Sequence, residues 1–222
     1  MMNKLTMQLE HVGKSYNGSK VLDDANIEIY SNEFTLITGS SGSGKTTMLN
    51  MLSSVDVPDE GAVLIDNKDI TLLNDHERVK YRAKNGQIFQ RSGLLGGLTA
   101  EENIVAIHNL SGNIIDTAWV EYLISELAIG ALMKKRISEV SGGQAQRIGI
   151  VRALAHKPKL VFADEPTASL DSDSKHDVHR LLHNVAEEGS SVVMVSHDEI
   201  SPQYADVIFQ MNDGRVSVLD KE

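Results

Sequence analysis

Residues 39–46 read Gly-Ser-Ser-Gly-Ser-Gly-Lys-Thr, which places three glycines, a lysine and a hydroxyl within eight positions. Glycine, four residues, glycine, lysine and then serine or threonine is a spacing suited to an anion of several linked phosphates. The glycines (Gly39, Gly42, Gly44) let the backbone wrap closely, so that the amide groups of Ser40, Ser41, Ser43 and their neighbours point at one phosphate chain. Lys45 would reach the outer phosphates and the Thr46 hydroxyl would bind Mg²⁺. Thr47 continues into a helical pattern whose positive end faces the same anion. The plain alternative is a flexible Gly/Ser turn, but the loop sits between a strand-like and a helix-like segment, the context a phosphate loop requires. A second chemical group closes the apolar run 160–163. There Asp164 would emerge where open α/β sheets place their ligands and hold the magnesium, usually through its water. Glu165 beside it is a candidate general base for an attacking water. Together they point to a Mg²⁺-dependent nucleotide-binding protein, with kinase, GTPase and ATPase all open at this stage.

A second glycine-rich stretch, Ser141-Gly142-Gly143-Gln144, opens another helix-like segment. Its plainest reading is a helix start with Ser141 as N-cap, yet it has the look of a second anion cradle. Three histidines, His176, His179 and His183, recur at helical spacing. They are either three surface histidines or, on one face, a metal site. The surrounding helix is amphipathic, with Val178, Leu181, Leu182 and Val185 inward.

The elements that must hold these groups follow from hydrophobic period. Strands are expected at 5–12, 25–30, 34–39, 62–66, 87–90, 159–163 and 191–195, and helices at 45–55, 116–127 (capped by Asp116), 142–155 and 173–187. Residues 205–219 read as a hairpin turning at Asn212-Asp213-Gly214. Between 91 and 140 the character changes to helices and loops. The expected fold class is α/β, a mostly parallel core sheet with an antiparallel β part and an inserted helical lobe. Composition sets limits. Lys plus Arg is 21 against 31 acidic residues, a net charge of −10, so no general nucleic-acid surface is expected. There is no cysteine, which removes disulfides and thiolate metal sites. Apolar runs are strand-sized, too short to span a bilayer, and the N-terminal residues carry no secretory apolar segment.

Taken together, the phosphate loop, the Ser-Gly-Gly-Gln stretch and Asp164-Glu165-Pro166 resemble the nucleotide-binding subunits of ABC transporters, over essentially all 222 residues. The resemblance implies one P-loop ATPase domain, 1–222, with a core at 1–90 and 141–222 and a helical subdomain at about 91–140. It implies that the second cradle contacts the γ-phosphate held by the opposite subunit, chiefly through Ser141 and Gly143. ATP would then close a homodimer head to tail, and hydrolysis would release it. Tyr16 matches the aromatic that stacks on adenine, and Gln90 the glutamine that touches Mg²⁺ and the attacking water. Asp171, in Ser169-Leu170-Asp171, matches the aspartate of the segment that crosses to the other subunit. His197 matches the histidine that bonds the γ-phosphate and orients Glu165. As a transporter ATPase the chain would act on a separate integral-membrane permease, peripherally at the cytoplasmic face of the membrane.

Residues 93–104 and 163–174 look most like the macrolide-exporter, lipoprotein-releasing, antimicrobial-peptide-resistance and cell-division subgroup. Three positions depart from it. Gly96 stands where proline is common, Ile137-Ser138 replaces a proline-containing approach, and Val151-Arg152-Ala153 replaces an alanine-first triplet. A soluble ABC ATPase of DNA repair, chromosome organisation or translation is the other reading. The single phosphate loop, the absence of a heptad run and the acidic charge all weigh against it.

Overall fold

The computed structural model describes residues 4–112 and 114–219. Alternating apolar residues near the N-terminus form two long antiparallel strands, β1 (Leu5–Tyr16) and β2 (Ser19–Tyr30). Both run past the 5–12 and 25–30 segments that alternate cleanly in sequence. The β1–β2 register shifts around Val12, and His11 and Asp24 have φ of 51° and 54°. Such bulges break the two-residue period without ending the strand. After β3 (Phe34–Gly39) and helix α1 (Lys45–Leu52), β4 (Glu60–Ile65) and the short β5 (Lys68–Asp69) complete an antiparallel sheet ordered β2-β1-β4-β5. Helix α1 stops at Leu52 rather than 55, and Ser54 just beyond it has φ 57°.

The second sheet contains β3 with β6 (Gly86–Ile88), β7 (Leu160–Asp164), β8 (Ser191–Val195), β9 (Val207–Asn212) and β10 (Arg215–Leu219), in the order β10-β9-β3-β8-β7-β6. All its pairings are parallel except the β9–β10 hairpin, which turns through Asp213 and Gly214, both at positive φ as a tight two-residue loop demands. Parallel strands covered on both faces read as continuous apolar runs, and alternate residues here enter two different cores. Val161, Ala163, Val192 and Met194 pack with helices α3 (Ala100–Ser111), α4 (Thr117–Glu126), α5 (Gly142–Leu154) and α6 (Ser172–Glu187). Leu160, Phe162, Val193 and Val195 pack with α1 and the antiparallel sheet.

Helix α2 (Asp75–Ala83) was not expected from the sequence. It buries no residue, so it carries no apolar period; its signature is the capping box between Asn74 and Glu77. No helix among the described residues is long and apolar enough to cross a membrane.

Candidate nucleotide site

Strand β3 ends at Gly39 and α1 begins at Lys45, so the first glycine loop closes the carboxyl end of a central strand. The loop is wedged between neighbouring backbones. Gly39 has φ 144°, and a Cβ on it would lie 2.2 Å from the Met211 carbonyl oxygen. Gly44 has φ 103°, and its Cβ would lie 2.7 Å from the Val21 carbonyl oxygen. Only glycine fits either place.

Helix α1 is also the exception among the six α-helices of the described residues. Asn74, Thr99, Asp116, Ser141 and Asp171 each cap a helix with a side-chain oxygen, whereas Gly44 offers α1 none. Its first amide groups are therefore not taken up by a side-chain cap, the condition for binding an anion there. Lys45 is buried and spans the loop, its Nζ donating to the carbonyl oxygens of Gly39 (2.9 Å) and Ser40 (2.7 Å). The Ser43 hydroxyl is buried without a protein partner. A cavity of about 760 Å³ opens over the loop, lined by Gly39–Thr47 excepting Ser43, and by Val21, Gln90, Glu165 and His197.

The carboxyl end of β7 brings Glu165 into the lining of this cavity and Asp164 against Thr46 at its edge. The Thr46 hydroxyl donates to Asp164 Oδ1 at 3.2 Å. Burial pushes the Asp164 carboxyl above its ordinary range; Glu165 adds to the push, while the Thr46 hydroxyl and Lys45 ammonium oppose it. A half-buried carboxylate facing a hydroxyl, with the Gln90 amide on the same cavity, is a hard-oxygen set that fits Mg²⁺. Glu165 is held at both oxygens. His197 Nδ1 lies 3.0 Å from Oε1, and Gln90 Nε2 donates to Oε2 at 3.2 Å. Its backbone is in the left-handed region at φ 43°, pinned by its N–H to the Val195 carbonyl at 2.9 Å. A non-glycine residue there stores local strain.

Tyr16 stands beside the loop rather than in the cavity lining. Its hydroxyl donates to Asp56 Oδ2 at 2.6 Å, and the Lys14 ammonium lies 5.3 Å from its ring. The residue is 40% exposed.

The second glycine loop lies elsewhere. None of Ser141, Gly142, Gly143 and Gln144 lines the cavity above Lys45. Ser141 caps α5 as expected, in a reciprocal box. Its hydroxyl accepts from the Gln144 N–H at 3.3 Å and its own N–H donates to Gln144 Oε1 at 2.9 Å. A Cβ at Gly143 would come within 3.2 Å of the Ser169 carbonyl oxygen, so the 169–171 segment rests directly against this loop. Asp171 turns its carboxylate to the start of α6, accepting from Ser174 N and Oγ at 3.0 and 2.9 Å.

The structure corrects one expectation. His176, His179 and His183 are not three surface residues. His179 is fully buried, its Nδ1 2.7 Å from the Lys175 carbonyl and its Nε2 2.8 Å from Ser201 Oγ. His176 Nδ1 meets the Tyr204 hydroxyl at 2.9 Å, and His183 faces Glu187. No metal-holding cluster of three or more His, Cys, Asp or Glu side chains occurs among the described residues.

Sequence reasoning passed over several residues that hold the site. Gln146 donates to the Phe89 carbonyl (2.8 Å), and Arg152 donates to those of Gly93 and Ser92 (both 2.8 Å), fastening the segment around Gln90 along α5. Asp198, next to His197, accepts from Thr167 Oγ1 and Lys175 Nζ, both at 2.5 Å. Nothing in the spacing of Thr167, Lys175 and Asp198 announces that trio.

A family model described as ABC transporter matches residues 22–168. The bacitracin export ATP-binding protein BceA of Halalkalibacterium halodurans is 36% identical over 219 residues, with 95% of this chain and 86% of that protein covered. The lipoprotein-releasing system ATP-binding protein LolD of Aquifex aeolicus is 37% identical, with 95% of each covered. The macrolide export ATP-binding/permease protein MacB of Wolinella succinogenes is 34% identical, and the match covers 97% of this chain but only 35% of that longer protein. A dimeric bacterial ABC transporter cassette superposes with a TM-score of 0.86 at 33% identity, covering 97% of this chain and 100% of that one. A dimeric post-hydrolysis cassette bound to ADP and Pi gives 0.85 at 33% identity over the same shares.

Proposed function

The chain belongs to the ABC transporter family of ATP-binding subunits and is an ATP hydrolase, and from that premise we propose that it works as one half of an ATP-closed pair driving a separate membrane permease. The observation that carries the pair is the separation of the two glycine loops. The first lines its own cavity, whereas the second is a capped, exposed helix start outside it. A cradle that cannot serve its own chain's nucleotide can serve that of a second copy facing it head to tail. In this reading residues 1–222 act as one ATPase unit, with 91–140 as a helical lobe on the 1–90 and 141–222 core.

Within each half, the amides of residues 39–47 and Lys45 bind the triphosphate, Tyr16 presents a ring face to the adenine, and Asp171 belongs to the segment that meets the second copy. Thr46, Asp164 and Gln90 would hold Mg²⁺, which would supply positive charge to offset that of the triphosphate. Glu165, fixed at both oxygens, takes the proton from the attacking water. His197 orients Glu165 from one side and bonds the γ-phosphate. Ser141 and Gly143 of the second copy close the remaining face. Hydrolysis of a phosphoanhydride needs positioning and charge neutralisation more than covalent chemistry, and both are complete only in the closed pair.

The permease reading is supported by a groove of about 280 Å³ between α2, the 85–89 segment, α3 and α5, lined in part by the exposed Val79 and Phe89. Its floor includes Arg152, so a chain docked there would bear on the segment that carries Gln90. Export of a peptide, drug or lipoprotein, at the cytoplasmic face of a membrane, is the reading the named relatives support.

Glu165→Gln tests the scheme. With Mg·ATP it should stop turning over, keep its nucleotide and elute as a dimer by light scattering. A Glu165→Gln chain that hydrolyses ATP at the wild-type rate, or a wild-type monomer that turns over in saturating Mg·ATP, contradicts it.

A further inference from the structure

His197 is exposed, and Glu165 Oε1 is the partner that its ring meets in the site. A side chain so placed is directed mainly by its backbone, and both residues flanking it are tied inward. Ser196 is buried, and its hydroxyl accepts from the Asp198 N–H at 3.0 Å, spanning the His197 backbone from below. That hydroxyl lies 2.9 Å from Ser201 Oγ, and Ser201 Oγ lies 2.8 Å from His179 Nε2. His179, on α6, ends the line at the Lys175 carbonyl.

The direction of this chain follows from what each group can do. A carbonyl oxygen only accepts, so His179 Nδ1 carries the proton. Full burial disfavours the imidazolium and pushes the ring's pKa down, so Nε2 is left as an acceptor. Ser201 then spends its only proton on Nε2 and must accept from Ser196, whose lone pairs still accept from Asp198 N–H. Every donor from the backbone of Asp198 to the Lys175 carbonyl has one acceptor, and no group is left over. Tyr204 closes the arrangement, its ring stacked on His179 at 5.4 Å and its hydroxyl bonded to His176.

We infer that His179 and Ser201 are positioning residues for the hydrolytic step, setting the backbone of His197 through the Ser201–Ser196–Asp198 line. This rests on the role of His197 proposed above. A buried histidine and serine with a merely structural role would show themselves in stability and leave turnover per folded molecule alone.

The test compares kcat, KM for ATP, binding of a fluorescent ATP analogue and Tm in the full-length chain. His179→Phe keeps the ring volume and the stack on Tyr204 but breaks the line, whereas His179→Gln restores one donor and one acceptor. Expected is a fall in kcat of about tenfold for His179→Phe with analogue affinity within about twofold, and recovery of most of kcat in His179→Gln. Ser201→Ala should lower kcat in the same way and Ser201→Thr should restore it, an independent pair if the histidine variants fold poorly. Wild-type kcat in both His179→Phe and Ser201→Ala, beside a His197→Ala chain that has lost turnover, overturns this inference alone. A His197→Ala chain with wild-type turnover overturns the role of His197 and this inference with it. Equal losses of kcat, affinity and Tm without rescue by Gln or Thr also overturn it, in favour of a structural role.

Discussion

Replacing Gly39 by alanine is expected to damage the phosphate loop far more than the same change at Gly42, three residues away. Both have positive φ, 144° and 79°. An L-residue held there pays about 1–2 kcal/mol in backbone energy. What separates the two is the neighbourhood. A Cβ at Gly42 meets nothing within 4 Å, whereas at Gly39 it falls 2.2 Å from the Met211 carbonyl oxygen and 3.1 Å from Ser43 Oγ. The first of these is backbone against backbone, with no flexible side chain to give way. Restoring a contact near 3.0 Å requires β3 and β9 to part by about 0.8 Å where they are hydrogen-bonded neighbours, an overpacking cost of about 1–3 kcal/mol. The total for Gly39→Ala is then about 2–5 kcal/mol, or a Tm lowered by about 4–20 °C in a chain of this length. Gly42→Ala, with the backbone cost alone, should lower Tm by about 2–8 °C. The assay is thermal unfolding of the two variants without nucleotide, so that ligand contacts play no part. Equal Tm losses, or a Gly39→Ala chain that melts with the wild type, would refute the claim that the loop is shaped by its wedge against the β9 backbone.

Lys45→Ala should weaken nucleotide binding itself, seen as a loss of affinity for a fluorescent ATP analogue, because the ammonium that spans the loop is gone. Arg152→Met leaves the Ser92 and Gly93 carbonyls without their buried donor. It should cost about 3 kcal/mol and raise hydrogen exchange across 89–93. Asp198→Asn should cost about 2 kcal/mol at neutral pH, with a sign that can be checked. Burial opposes ionisation of Asp198, but the Lys175 and Thr167 hydrogen bonds and the Lys175 charge outweigh it, so its folded pKa lies below the ordinary value. The unfolded chain then binds the extra proton, and the stabilisation is complete above about pH 3.9 and lost as pH falls through the lower folded value. The Tm gap between wild type and Asp198→Asn should therefore narrow on acidification in that window and stay constant from about pH 5 upward.

The groups proposed to touch phosphate were legible because their chemistry constrains short stretches of chain. Lys45, Thr46, Asp164 and Glu165 each sit at or next to the end of a clearly periodic element, so sequence alone placed each at the edge of a strand or helix. The caps at Asp116 and Ser141 were equally local. What sequence could not supply was contact between distant segments. Arg152 reads only as a departure from a familiar triplet until its guanidinium is seen on Ser92 and Gly93. His179 reads as surface because its spacing with His176 and His183 suggests one face, while the helix's contact with the 196–204 segment decides that one of the three is inside. Helix α2 escaped for the opposite reason: with no buried residue it has no period to read, and only Asn74 and Glu77 mark where it starts.

Helix α5 carries a further consequence. Thirteen residues long, about 20 Å by helical rise, it begins at Ser141 and Gly143 and lies along the 89–93 stretch, stapled there through Gln146 and Arg152. In the proposed pair it would be a strut, with one end offered to a neighbour's nucleotide and its flank tied to the stretch that carries Gln90. In such a head-to-tail pair, a push at either nucleotide would be passed along α5 to the other. The two ATPs would then be mechanically geared, with neither phosphate bond broken without news of it reaching the opposite side.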